Sequence, residues 1–517
     1  MNNGYAIASP HTLATDAGWA AFEQGGSAVD AALAAAVTLA VCYPHMCSVG
    51  GDLMALLRRP GGEVTSINAS GAAPRRVAEL GLDGRATVPV TGPASVTVPG
   101  VVGGWEALHR AGGKLAFSEA FGRGIDLALE GAPVAGSLAL ALVEGRDELA
   151  ADPGLGAHFY PGGRPLAPGE TFRQAALGAT LQVLVRDGAA ALYGGPVGAR
   201  LVAGLQEWGA VLGEDDLAAH RSEVTAPLCG RYGEWSLAVN PPNSQGVALL
   251  QIAGAIEAQG LALDPLGADA GRIARILHAV SAERDRRLGD PRAGAVPIGA
   301  MLDPAHLAAL GREPGRAGRS GGPRGTVRSG DTVAVVAQDP DGQAVSIVQS
   351  VFHAFGAGML EARTGIIIHN RGALFSLDPG SANRLQPGKR PLHTLMPVML
   401  SADSGRRAVA GTMGGRAQPQ VHTHLLAGIV RGKSPTEVVG ASRWVVGGLD
   451  AGSVDDEIFV EGTVPAATRR ALEGSGMALR DLPDLDEAVG HAQVIIGEGA
   501  TVEAAADPRS DGSARVG

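Results

Sequence analysis

A chain of 517 residues with 45% hydrophobic and 18% charged side chains has enough apolar surface for one large layered core or for several smaller domains. Aromatic residues make up only 4%, against 77 glycines, so such a core must be packed by Ala, Val and Leu with close backbone approaches. A formal charge of −10 argues against a nucleic-acid partner, and three cysteines without CxxC spacing argue against a disulfide framework and for a reducing, cytoplasmic compartment.

The opening MNNGYAIASPHTLATD has neither the basic nor the apolar segment of a secretory leader. Residues 9–43 read as two Ala-rich helices separated by Gly25-Gly26, with Ser27 set to cap the second and Asp30 in its first turn. The apolar run 31–43 is too short and too rich in Ala to span a bilayer, so no membrane partner is expected. LMALLRRPGGEVTSINAS (53–70) predicts two strands around a Pro-Gly-Gly turn. Helical patterns dominate from about 100 to 290, as in ALGATLQVLVRDGAAALY and VALLQIAGAIEAQ. Composition breaks at 311–330, GREPGRAGRSGGPRGTVRSG, which can bury no apolar surface and predicts a mobile linker.

Strand signals follow. TVAVVA, the turn DPDG and AVSIVQSV predict a β-hairpin over 332–351, and TGIIIHN and TLMPVMLSA predict further strands. PQVHTHLLAGIVRG returns to helix; its VHTH invites a metal reading, but alternate helical residues point apart, so neither metal nor cofactor is expected. No internal repeat is present. Strands on both sides of the linker, flanked by helices, predict an α+β fold arranged as a four-layer αββα sandwich.

The linker ends in Gly330-Asp331-Thr332, at the mouth of a strand. On the tripeptide alone this is a turn with a capping carboxylate. It also has a specific chemical use: a threonine hydroxyl can attack the preceding carbonyl, shift the acyl group from nitrogen to oxygen and let water complete the cut. The new N-terminal threonine then carries its own base, since an α-amine titrates near ~7.7–8.

The stretch resembles the start of the small subunit in the γ-glutamyltransferase family of N-terminal-nucleophile hydrolases, and the resemblance runs along nearly the whole chain. SPHTLATDAGWAAFEQGGSAVDAALAA, CSVGGD, VTVPGVVGGWEALHRAGG, ALYGG, GEDDLAAH and NPPNSQGVALLQ precede Thr332 in family order; FGAG, TGIIIHNRGALFSLDPG, NRLQPGKRPLHTLMP and GTMGG follow it. The resemblance implies a precursor cut at Asp331–Thr332 into a large subunit, 1–331 with its linker at 311–331, and a small one, 332–517, sharing one core. It implies Thr332 as nucleophile, Ser350 as a hydroxyl beside it, and the amides of Gly414 and Gly415 as the oxyanion hole.

Four positions depart from the glutamyl-binding members. The family's Arg upstream of Ala-Pro reads Ser70, its Asn after the Ser350 position reads Phe352, its Asp reads Leu374, and its Ser-Ser pair reads His393-Thr394. An α-amino acid head bound there would leave buried charges unpaired, at several kcal/mol. Arg371, His353, Phe352, His393 and Thr394 remain as candidate substrate-binding residues, with Arg371 able to fork onto a small carboxylate. The pattern resembles the non-glutamyl branch, which holds oxamate amidohydrolase-like and cephalosporin-acylase-like members and relatives in secondary metabolism that hydrolyse a carbon–carbon bond. The expected function is a self-processing N-terminal-threonine hydrolase or acyltransferase on a small-molecule amide. The alternatives are a true γ-glutamyltransferase, a C–C hydrolase, or an uncut, non-catalytic scaffold; homo-oligomerisation stays open.

Overall fold

Two antiparallel sheets face each other at the centre of the protein, a computed structural model of which describes residues 4–312, 330–447, 456–499 and 501–517. The first sheet runs, edge to edge, Ser513–Val516, Ala6–Ser9, Gly330–Gln338, Ala344–His353, Asp52–Arg58, Val64–Ala69 and Glu223–Thr225. The second runs Thr501–Ala506, Ala492–Glu498, Arg407–Thr412, Val398–Ala402, Trp235–Val239 and Leu228–Tyr232. Strands from before and after residue 331 occur in both sheets, so the two parts of the chain share one core.

The strand period of two explains the layering. In the strand Gly330–Gln338, Val333, Val335 and Ala337 pack into the core under one helical layer. Val336 instead meets Met399, Val409 and Ile495 of the opposite sheet, while Ala334 packs with Met54, Val348 and Leu395. Helices Thr12–Glu23, Ala28–Cys42 and Val101–Gly112 cover the first sheet, and Gly246–Ala258, Ala270–Arg287 and Gln418–Val430 cover the second, completing the expected αββα sandwich. All fifteen residues of Ala28–Cys42 are buried, which their small side chains permit. Ser27 caps that helix as expected: its Oγ accepts from the Asp30 amide at 3.3 Å and the Asp30 carboxylate accepts from the Ser27 amide at 2.8 Å.

Several elements differ from the sequence expectations. The strand expected from Thr332 begins at Gly330. TGIIIHN yields only the two-residue strand Ile366–Ile367, paired with Leu360–Glu361 outside both sheets. Leu228–Tyr232 and Trp235–Val239, inside the stretch read as helical, form a hairpin at the edge of the second sheet. The expected linker falls mostly on 313–329, outside the described residues. No helix among the described residues is long and apolar enough to cross a membrane. His422 and His424 donate to separate carbonyls, of Met396 at 3.0 Å and Trp444 at 2.9 Å, each satisfied within the core.

Candidate active site

Alternation along the strands puts three polar residues side by side on the inter-sheet face. Thr332 shares that face with Ala334 and Val336, Ser350 with Val348, and Asp52 with Met54. Ser350 pairs directly with Asp52 in the ladder, and Thr332 lies opposite the bulge where pairing jumps from Gln349↔Val333 to Phe352↔Asp331. The bulge is held by the Phe352 amide donating to Ser350 Oγ at 2.7 Å, and it forces Phe352 to φ 83°, a strained region for a bulky residue. Thr332 and Ser350 are each 1% exposed. Asp331 and Gly330 continue the strand backbone and pair with Phe352 and His353; the Asp331 side chain lies outside what is described.

Gly414 and Gly415 lead from the strand Arg407–Thr412 into the helix Gln418–Val430, at φ 142° and φ 50°, conformations that fall to glycine. The turn Gly415–Ala417 touches the strand that carries Thr332. Its position is fixed by Gln245, fully buried, whose Nε2 donates to Gly415 O at 2.9 Å and to Thr394 O at 2.7 Å. Arg284 Nη1 in turn donates to Gln245 Oε1 at 3.0 Å and to Arg416 O at 2.7 Å.

Asp52 is the electrostatic centre of the site. Its Oδ1 accepts from the Gly71 and Gly100 amides at 3.0 and 3.1 Å. Both positions need glycine, because a Cβ would fall 1.5 Å from Val98 O in one case and 1.9 Å from Ala69 O in the other. Its Oδ2 accepts from His393 Nε2 at 3.1 Å and lies 3.6 Å from His369 Nδ1 and 4.0 Å from Arg371 Nε. Burial alone would raise this carboxyl, yet His369, His393 and Arg371 together hold it well below the usual carboxylate range. Burial, with the Arg371 charge added, pulls His393 down to about 3. Its Nδ1 accepts from the Leu395 amide at 3.3 Å, which fixes a neutral ring with the proton on Nε2.

Arg371 opens a short 3-10 turn, Arg371–Leu374, and is fully buried. Its Nη1 donates to Thr394 Oγ1 at 2.8 Å, and its guanidinium carbon sits 4.5 Å over the Phe352 ring, which also stacks on His353. His353 is set by Asn370, whose Nδ2 donates to His353 Nδ1 at 3.0 Å and whose Oδ1 accepts from the His353 amide at 3.2 Å. Two of the expected substrate contacts carry no charge into this space. Ser70 Oγ donates to Asn68 Oδ1 at 2.7 Å and accepts from Asn243 Nδ2 at 3.1 Å, and Leu374 is apolar and buried.

The structure therefore gathers Thr332, Ser350, Phe352, His353, Arg371, His393 and Thr394 around one inter-sheet end. The sequence reading passed over Asp52, His369 and Gln245. Asp52 had a signal: one carboxylate between Gly50-Gly51 and the apolar run LMALL, where only a fully hydrogen-bonded anion can sit. Gln245 had none, since nothing local separates it from a surface amide.

The family model described as Gamma-glutamyltranspeptidase matches residues 14–517. The chain is 37% identical to the oxamate amidohydrolase proenzyme of Klebsiella pneumoniae subsp. pneumoniae, over 99% of this chain and 98% of that one. It is 32% identical to the glutathione hydrolase-like YwrD proenzyme of Bacillus subtilis, over 98% and 97%. Among solved structures, the cephalosporin acylase from Bacillus halodurans superposes with a TM-score of 0.89 at 28% identity, covering 99% of this chain and 96% of that one. Fold, ordered motifs and these full-length matches agree, and the chain belongs to the gamma-glutamyltranspeptidase family of N-terminal-nucleophile hydrolases.

Proposed function

We propose that this enzyme matures by cutting its own Asp331–Thr332 bond and then hydrolyses an amide in a substrate that is not a simple γ-glutamyl compound. In maturation, Thr332 Oγ1 adds to the Asp331 carbonyl carbon, the C–N bond breaks to give an ester and a free α-amine, and water hydrolyses the ester. In turnover, the amine takes the Oγ1 proton as that oxygen attacks the substrate carbonyl, then passes it to the leaving nitrogen; water releases the acid from Thr332. The amides of Gly414 and Gly415 would meet the oxyanion, each such donor being worth about 3–4 kcal/mol.

The observation that carries this reading is the position of Thr332: buried on the inter-sheet face, opposite a strained bulge, on the strand that touches the Gly415 turn. The restriction on substrate rests on Ser70 and Leu374, which offer no charge to an α-amino acid head. The amidohydrolase and acylase relatives support an amide bond. Intact mass tests the reading. Wild type should give pieces of roughly 33 and 19 kDa from 52.1 kDa, the smaller starting at Thr332, and Thr332→Ala should stay whole. The mature enzyme should hydrolyse half-amides such as oxamate, or acyl-cephalosporins, at least about tenfold better than γ-glutamyl-p-nitroanilide. An uncut wild-type chain would overturn the mechanism.

A further inference from the structure

The face between the sheets continues past Thr332 on the side away from Phe352. In the first sheet, the strand Gly330–Gln338 lies between Ala344–His353, which carries Phe352, and Ala6–Ser9. The strand Ala492–Glu498 of the second sheet touches both Gly330–Gln338 and Ala6–Ser9, and its Ile495 packs in one cluster with Ala8 and Val336. Alternation from Ile495 turns Gln493 and His491 to the same inter-sheet face, while Ala492, Val494 and Ile496 pack under the helices. The ladder sets their height. Gln493 pairs with Gly411, which abuts Ala334, and His491 O accepts from the Met413 amide at 2.8 Å, one residue before Gly414. Thr332 is two residues beyond Ala334 on the same face, so Gln493 and then His491 step toward it.

Both side chains are fully buried, and neither makes a hydrogen bond among the described residues. His45 shares that condition, with both ring nitrogens unpartnered. It follows the helix Ala28–Cys42, its carbonyl accepts from the Phe355 amide at 3.0 Å, and the groups that act on its charge are Asp511, His11 and His491. This lining is neutral. Burial pulls His45 down to about 3 and His491 to about 4. The Asp511 carboxylate is already filled: it accepts from the Tyr43 and Ser137 hydroxyls at 2.9 and 2.6 Å, and from the Gly136 and Ser137 amides at 3.2 and 3.3 Å. Each neutral imidazole offers one donor and one acceptor, and the Gln493 amide offers both. An ion finds no countercharge in such a lining. Water, which gives and takes hydrogen bonds equally, matches it.

We infer that His491, Gln493 and His45 hold water beside Thr332 and that this water resolves the acyl-threonine ester. The inference rests on the acyl-threonine reading above. Asp331, the acyl group of maturation, pairs with Phe352, so the acyl part takes that side and water arrives from the other. The water oxygen adds to the ester carbonyl carbon while its proton passes to the Thr332 α-amine. The bond from that carbon to Oγ1 then breaks, and Oγ1 takes the proton as the acid leaves. The three residues position the water and make no contact with the acyl group. The same step closes maturation, when the ester joins Asp331 to Thr332.

Maturation therefore tests the inference without a substrate. Gln493→Leu and His491→Phe keep the side-chain shape and remove the polar atoms. Both variants should cut themselves at least about 30-fold more slowly than wild type. Hydroxylamine, a nucleophile that attacks esters directly, should bring cleavage at Asp331–Thr332 back to within about threefold of wild type. Thr332→Ala, which forms no ester, should resist it. Variants that mature at the wild-type rate would overturn the inference, and so would slow maturation that hydroxylamine leaves uncorrected, since ester formation itself would then be lost. In crystals of the wild-type enzyme, ordered water should lie within about 3.2 Å of His491 and Gln493. A dry site there overturns the inference even where the variants fail to fold. Wild type that stays uncut with and without hydroxylamine would remove the acyl-threonine reading itself, and this inference would fall with it.

Discussion

Phe352 shows how much the site depends on one backbone torsion. At φ 83° a phenylalanine is strained by about 1–3 kcal/mol, and the reward is a ring held under Arg371 at 4.5 Å. The two effects can be separated. Phe352→Gly and Phe352→Ala both remove the ring, but only glycine relieves the torsion, so the glycine variant should be more stable than the alanine one by about 1 kcal/mol in urea unfolding. Equal stabilities would mean that the torsion stores nothing. Gly414, at φ 142°, makes the complementary case. Alanine there must twist the peptide that presents the proposed oxyanion amides, so Gly414→Ala should lower kcat about 100-fold or more while KM changes little. This is also where the sequence was most and least legible. Thr332, Gly414 and Arg371 announce themselves by chemistry or by motif. His369 does not, because its role comes from a strand more than 300 residues away in the chain, as in its 3.6 Å approach to Asp52.

At the scale of elements, the strand that carries Thr332 is held to the opposite sheet by close contact. A Cβ on Gly411 would lie 2.8 Å from Ala334 Cβ and 3.0 Å from Ser346 Oγ. Ala334 is two residues from Thr332 on the same face, and Gly411 is three residues from Gly414. Gly411→Val should therefore wedge Thr332 and the Gly414-Gly415 turn apart. A stability loss of about 1–3 kcal/mol is expected, together with a loss of kcat larger than the Tm shift accounts for; unchanged kcat in a folded variant would show that the sheets slide freely. Gln245 is the matching clamp from the loop side. Gln245→Leu strands the Thr394 and Gly415 carbonyls and an Arg284 donor, which should cost about 2–4 kcal/mol by the same unfolding measurement. The hairpin from Thr332 and the capped Ala-rich helix were legible because each carries its own period and turn chemistry. The Leu228–Tyr232 and Trp235–Val239 hairpin was not: only pairing with Val398–Ala402 and packing under the helix Gly246–Ala258 make it a strand pair.

At the scale of the whole molecule, a core built from small aliphatic side chains has taken in several imidazoles. Burial, first among the causes in each case, pulls His45, His393, His422 and His424 down to about 3 and His220 and His491 to about 4. Each folded value lies below the ordinary ~6.5, so between the two the unfolded chain binds more protons than the native one. Stability must then rise with pH across that window and fall as pH drops from about 6.5 toward 4. Asp52 works in the same direction but lower down, since a depressed carboxyl withdraws its contribution only below about pH 4. The window from 6.5 to 4.5 therefore belongs to the histidines. Each proton taken up contributes a slope of about 1.4 kcal/mol per pH unit. Urea unfolding of the Thr332→Ala chain, single and uncut, at half-unit steps through this window should report about three to six protons bound on unfolding near pH 5. Fewer than about two would mean that these imidazoles are protonated in the native core after all, with the neutral His393 that donates to Asp52 the first assignment to give up.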